Sequence, residues 1–95
     1  MQRSFQRARI DRIEIGMKER CPCCGYQTLS ELGGFDLCEV CYWEDDGQTD
    51  EDADKVRGGP NGDLSLTAAR SSYREFGACE RRFLVHVMPP TQDEL

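Results

Sequence analysis

CPCCGYQTL (residues 21–29) puts three cysteines into four positions, interrupted by Pro22 and closed by Gly25. Such thiols serve as a redox centre, as half of a disulfide framework, or as one jaw of a metal clamp. The choice is made further along the chain. CEVC (residues 38–41) repeats the Cys-x-x-Cys spacing of Cys21 and Cys24, with thirteen residues between the two pairs. Two such pairs are what a tetrahedral four-thiolate zinc site requires. Pro22 helps to preset the first turn. Gly25 lets the backbone fold under a metal so that amide N–H groups point at the sulfurs.

Cys21, Cys24, Cys38 and Cys41 are therefore the expected ligands of one Zn²⁺. Four thiolates close the coordination sphere and leave no position for water or substrate, so the metal is expected to be structural. Alternative ligand sets use Cys23 or Cys79 in place of one of the four, or all six cysteines around two metals. Read from the residues alone, Cys79 is a small buried apolar residue beyond the helix. Cys23 is a spare thiol or a contact just outside the ligands. His86, the single histidine, is read as a partly buried strand residue.

The rest of the chain explains why a metal is needed. Its 95 residues form one small domain that is 38% hydrophobic and 32% charged, with nine glycines. Domains of this size and polarity usually require disulfides or a structural metal. Residues 1–20 contain no apolar run of the roughly 7–15 residues found in a signal peptide. No segment approaches the ~18 apolar residues of a membrane helix. A soluble cytoplasmic protein with no membrane partner is expected, and there cysteine clusters favour metal over disulfides. Structural zinc contributes about 10–16 kcal/mol in small peptides, enough to offset a thin core.

The net charge of -6 is uneven. Residues 1–20 hold six basic and three acidic side chains, whereas residues 21–95 hold six basic and fifteen acidic ones. An acidic body repels phosphate backbones and suits a basic protein partner. The organisation expected is a basic arm (1–20, with RIDRIEIG as a short ordered part), a cysteine-rich body (21–90) and a frayed tail (91–95). YQTL and FDL suggest short strands around Gly33–Gly34. EDDGQTDEDAD (44–54), with seven acidic residues in eleven, reads as a solvated loop anchored only by Ala53. It lacks the glycine and glutamate spacing of a calcium loop.

GGPNGD (58–63) is dense turn chemistry. The clearest helix starts at the N-cap Ser65, places Leu66, Ala69, Tyr73 and Phe76 on one face, and stops at Gly77. Phe83, Val85 and Val87 alternate as in a short strand, although ERRFLV also reads as a helical turn. The fold class expected is small α+β: a zinc-ribbon-like β-hairpin and one main C-terminal helix, stabilised by metal.

Together, CPCCGY, CEVCYWEDDG, GGPNGDLSL and REFGACERRF resemble the bacterial cysteine-rich CPCC domain family over Cys21 to Pro90. The resemblance implies a small intracellular domain with a zinc site. It singles out Cys21, Cys23, Cys24, Cys38, Cys41 and Cys79, with Trp43, Glu44, Asp45 and Asp46 after the second pair, and it places Cys79 near the metal. It also brings in the turn Gly58–Gly62 and the helix end Phe76–Gly77. Thr67–Ala68 depart from the pattern, which expects an acidic pair there.

No Ser/His/Asp set, phosphate loop or histidine–carboxylate metal site is present, so no enzymatic activity is expected. The leading functional expectation is a protein-interaction module, such as an immunity or antitoxin-like inhibitor. In it Trp43 is an exposed anchor, the competing reading being that it packs on the metal site, and Glu44, Asp45, Asp46 and Asp50 steer a basic partner. One alternative is a nucleic-acid-binding zinc ribbon working through the arginines of the arm. Another is a dithiol redox protein, although that chemistry needs a buried strand and a helix flanking Cys21–Cys24.

Overall fold

The computed structural model describes residues 18–95. The ordered part expected within residues 9–16 lies outside them.

The chain first runs through β1 (Glu19–Arg20) and β2 (Gln27–Leu29), an antiparallel pair with Glu19 opposite Leu29 and Arg20 opposite Gln27. The loop of this hairpin is the first Cys-x-x-Cys turn. A second, shorter ladder follows, in which Leu37 bridges Glu44 and the Asp45 amide donates to the Asp36 carbonyl at 2.9 Å. Its loop is the second Cys-x-x-Cys turn. The expected YQTL strand therefore exists in part, but it pairs across the first cysteine turn and not with FDL across Gly33–Gly34. Each cysteine turn reverses the chain by itself, so the strand flanking it on one side meets the strand on the other.

The helix α1 (Leu66–Phe76) forms where the sequence places it. Ser65 is extended, and its Oγ accepts from the Ala68 amide at 3.0 Å. Gly77 is left-handed at φ 94° and donates to the Tyr73 carbonyl, which ends the helix where a residue with a Cβ would be strained. Leu66 and Ala69 are buried, while Tyr73 and Phe76 are half-buried on the same side.

The core is small and rich in sulfur: Leu29, Val40, Trp43, Ala53, Leu66 and Ala69 pack with Cys21, Cys23, Cys38, Cys41 and Cys79. After α1 the strand expected at Phe83–Val87 does not form. Arg81–Phe83 is a single 3-10 turn, in keeping with the helical reading of ERRFLV, and Val85 is 84% exposed. Alternation of apolar residues implies a strand only when a neighbouring strand faces it, and among the described residues none does. His86 is exposed rather than part of a core strand, and it stacks on the Tyr42 ring at 5.0 Å. TQDEL is ordered through a capping box in which the Thr91 amide donates to Glu94 Oε1 at 2.9 Å. The Arg20 guanidinium also reaches the Leu95 carbonyl at 3.4 Å.

Candidate metal centre

The two cysteine turns have one backbone design. In the first, Gly25 donates to the Cys21 carbonyl at 2.8 Å and Cys21 to the Tyr26 carbonyl at 2.8 Å. In the second, Tyr42 donates to the Cys38 carbonyl at 2.7 Å and Cys38 to the Trp43 carbonyl at 2.9 Å. The residue after each second cysteine is left-handed: Gly25 at φ 85° and Tyr42 at φ 72°. Each turn thus points two sulfurs to one side.

The helix and the chain beyond it hold the turns together. Arg70 on α1 donates from Nε to the Pro22 carbonyl at 2.8 Å and pairs with Asp50 at 2.7 Å. The Cys79 amide donates to the Cys41 carbonyl at 2.7 Å, and the Met88 amide to the Glu39 carbonyl at 3.0 Å.

As a result the sulfurs of Cys21, Cys24, Cys38 and Cys41 all lie within 4.8 Å of one another. Cys21 and Cys41 are 3.6 Å apart, and Cys24 and Cys38 are 3.7 Å apart. A regular tetrahedron with metal–sulfur bonds of about 2.3 Å has sulfur–sulfur edges of about 3.8 Å, so the spacing fits a zinc-sized ion. Cys21, Cys38 and Cys41 are buried and Cys24 is half-buried.

Hydrogen bonds support the thiolates. Thr28 Oγ1 donates to Cys38 Sγ at 3.0 Å, and the Cys23 amide to Cys21 Sγ at 3.4 Å. Bonds from Cys21, then from Cys24, Cys41 and Thr28, hold the Cys38 thiol far below its ordinary range. Cys21 is also lowered, chiefly by Cys24. Contact with Cys21 pushes Cys24 and Cys41 up. The four thiols thus titrate as one coupled group, and a metal held by them would replace the protons that remain. Four sulfur donors with this spacing can hold one metal ion as a closed structural centre.

The other two cysteines lie outside this group of four but near it. Cys23 is buried in the same core cluster as Cys41. Cys79 is fully buried beneath the second turn, and its thiol is pushed up to about 12 by burial first, then by Cys23. All six cysteines are free thiols. Cys21–Cys24 sits in a hairpin loop, and the one α-helix among the described residues begins only at Leu66.

The partner-facing residues expected from the sequence are placed differently. Trp43 is 0% exposed and belongs to the core beside the cysteines, which agrees with its reading as a residue packed on the metal site and not with a surface anchor. Asp45 is 1% exposed. Its Oδ2 accepts from the Gly33 amide at 2.6 Å and its Oδ1 from the Gly47 amide at 3.2 Å. Asp46 is buried and accepts from the Gln48 amide at 3.1 Å. Glu44 is half-buried, its backbone bonded both ways to the Asn61 side chain. Asp50 alone of the set is fully exposed, and it pairs with Arg70.

EDDGQTDEDAD is thus a folded segment and not a solvated loop. Asp52 caps Thr49 and pairs with Arg57, and Asp54 accepts from Thr67. Carboxylates in a segment without regular structure are the acceptors its backbone amides need, and composition alone does not reveal that use. Sequence reasoning missed Thr28 as a sulfur partner, for which no local signal exists. Asp45, expected from the sequence to face a partner, carries in its Asp-x-Gly spacing the signal of a side chain that bonds its own backbone two residues on.

A two-stranded hairpin, one helix and a cluster of four cysteines define a small cysteine-rich domain with a candidate metal centre. Residues 19–94 match the family described as Cysteine-rich CPCC, and the chain belongs to it. No curated protein matches the chain, and no solved structure does.

Proposed function

We propose that this protein is a zinc-stabilised, non-enzymatic protein-interaction module of the reducing cytoplasm, with a zinc-ribbon-like pair of metal-binding turns. The observation that carries the metal reading is the closed set of four sulfurs, with separations of 3.6 and 3.7 Å across it and no histidine or carboxylate in the group. Zinc suits such a set because it is tetrahedral, redox-inert and thiolate-binding. None of the six cysteines is paired in a disulfide, which is consistent with a reducing compartment.

The interaction reading is supported by the net charge of -6 on a small chain, which favours a basic protein partner over nucleic acid. Inhibition of such a partner, in the manner of an immunity or antitoxin protein, is the biological role that fits. The test is recovery of a partner by zinc-loaded and metal-stripped protein, followed by reconstitution from purified components. A basic protein bound stoichiometrically by the zinc form alone supports the reading. Recovery of nucleic acid, or reversible cycling of Cys21 and Cys24 without metal, contradicts it.

A further inference from the structure

We propose that Leu32, Phe35 and Leu37, with the carboxylate cleft beside them, form the docking surface for a basic segment of a partner protein. This rests on the reading of the chain as a protein-interaction module and assigns that role to a place in the fold which neither Trp43 nor Asp45 can supply.

Three large apolar side chains project from one short turn: Leu32 is 61%, Phe35 55% and Leu37 42% exposed. In a domain whose core is this small, leaving them outside is a cost that an interaction surface explains. The turn is fixed from beneath. The Gly33 amide donates to the buried Asp45 carboxylate at 2.6 Å, and the Phe35 amide to the Asp45 carbonyl at 2.9 Å. The Leu37–Glu44 bridge closes its far end. Phe35 is held at φ 63°, a conformation a bulky residue adopts only when its surroundings impose it. An apolar tip already ordered loses little freedom when a partner covers it.

The charge around the tip specifies the partner. On the Leu37 side lies a cleft of about 210 Å³ with Asp36, Glu39, Glu94 and Lys18 in its walls, three carboxylates against one ammonium. Neither Asp36 nor Glu39 belongs to an ion pair among the described residues, and the Asp36 carboxylate, which accepts from the Ser30 amide at 2.6 Å through Oδ2, keeps Oδ1 for a cation. The Glu31 carboxylate folds over Gly34 at the tip itself. A lysine or arginine can lay its stem on Leu37 and its cationic head in the cleft, while an apolar neighbour covers Phe35. The net charge of -6 attracts such a segment over a longer range.

The probe is a random dodecapeptide library displayed on phage and panned against the full-length, zinc-loaded chain. Enriched peptides are then synthesised and titrated into isotope-labelled protein. The expected result is peptides that combine Arg or Lys with a large apolar residue and shift the amides of residues 31–37. Phe35→Ser, and separately the pair Asp36→Asn and Glu39→Gln, weaken them about tenfold or more, whereas Val85→Ser does not. Unchanged zinc content confirms that each variant is folded.

Peptides that shift residues 81–88 instead, or that are acidic, overturn this surface and leave the module reading standing. No enriched peptide at all counts against both. Tip amides that shift with protein concentration assign the surface to a second copy. Tip amides that respond to Ile13→Ser without peptide assign it to the chain's own arm. Either result overturns the proposal.

Discussion

Gly25 and Tyr42 occupy the same place in two equivalent turns, each left-handed and each donating its amide to the carbonyl of the first cysteine of its pair. Glycine fills the position without strain. Tyrosine is retained at φ 72° while its ring packs against Phe83 at 4.9 Å and His86 at 5.0 Å. The second turn thus combines metal presentation with anchoring of the chain beyond α1. Gly25→Val is expected to cost about 1–3 kcal/mol, since a β-branched residue must enter the left-handed region. At the other turn Tyr42→Gly should be less harmful than Tyr42→Val, because it removes the strain together with the ring. It should also speed exchange of the Met88 amide, which bonds to Glu39 in that turn. Denaturation curves and hydrogen exchange check both statements.

Thr28 is the one side-chain hydroxyl that bonds a cluster sulfur among the described residues, at 3.0 Å from Cys38. Thr28→Val keeps the β-branched shape suited to β2 and removes the donor. Metal affinity, measured by competition with a chromophoric chelator, is expected to fall by about 10–100-fold. An unchanged affinity would mean that the hydroxyl contributes nothing to the thiolate.

Asp45 and Glu51 both lie in the acidic segment, yet their substitutions should differ sharply. Asp45→Ala leaves the Gly33 and Gly47 amides without their carboxylate, and about 1–3 kcal/mol of destabilisation is expected. The exposed Glu51→Gln should stay within about 0.5 kcal/mol of the parent. Urea denaturation of the zinc-loaded proteins, with zinc content confirmed, separates the two.

This contrast also marks what can be read from the sequence. The cysteine quartet, the Ser65 cap, the helix face and the Gly77 stop are local or strictly spaced signals, and the structure contains all of them. The burial of Trp43, Asp45 and Asp46 is not local. It depends on the second cysteine turn folding residues 43–48 back against the Gly33 loop, where backbone amides without strand partners take carboxylates instead. Residues 83–87 show the opposite failure: their alternation is real, but no strand among the described residues pairs with it. FDL likewise forms only a single bridge, at Leu37, and not a strand.

Cys79 provides a pH test. Burial raises its thiol from 9.0 to about 12, and a four-thiolate centre nearby acts in the same direction. An unfolded Cys79 ionises near 9.0, while the folded one stays protonated to about 12. Its contribution to stability is therefore whole below pH 9.0 and is lost as pH rises towards 12. Tyr73, raised to about 12 by partial burial first, adds a shallower loss of the same sign beginning near 10. Stability of the zinc-loaded protein should fall on the alkaline side, and Cys79→Ala should flatten the earlier part of that fall. Chemical denaturation at a series of pH values reads both slopes.

Cys21, Cys24, Cys38 and Cys41 are proposed to close around one structural zinc. Metal analysis combined with zinc X-ray absorption, on protein purified without added metal or chelator, tests this most directly. One zinc per chain is expected, with four sulfur neighbours at about 2.3 Å and no nitrogen or oxygen ligand. A metal-free protein, or a zinc ion with fewer than four sulfurs, would contradict it.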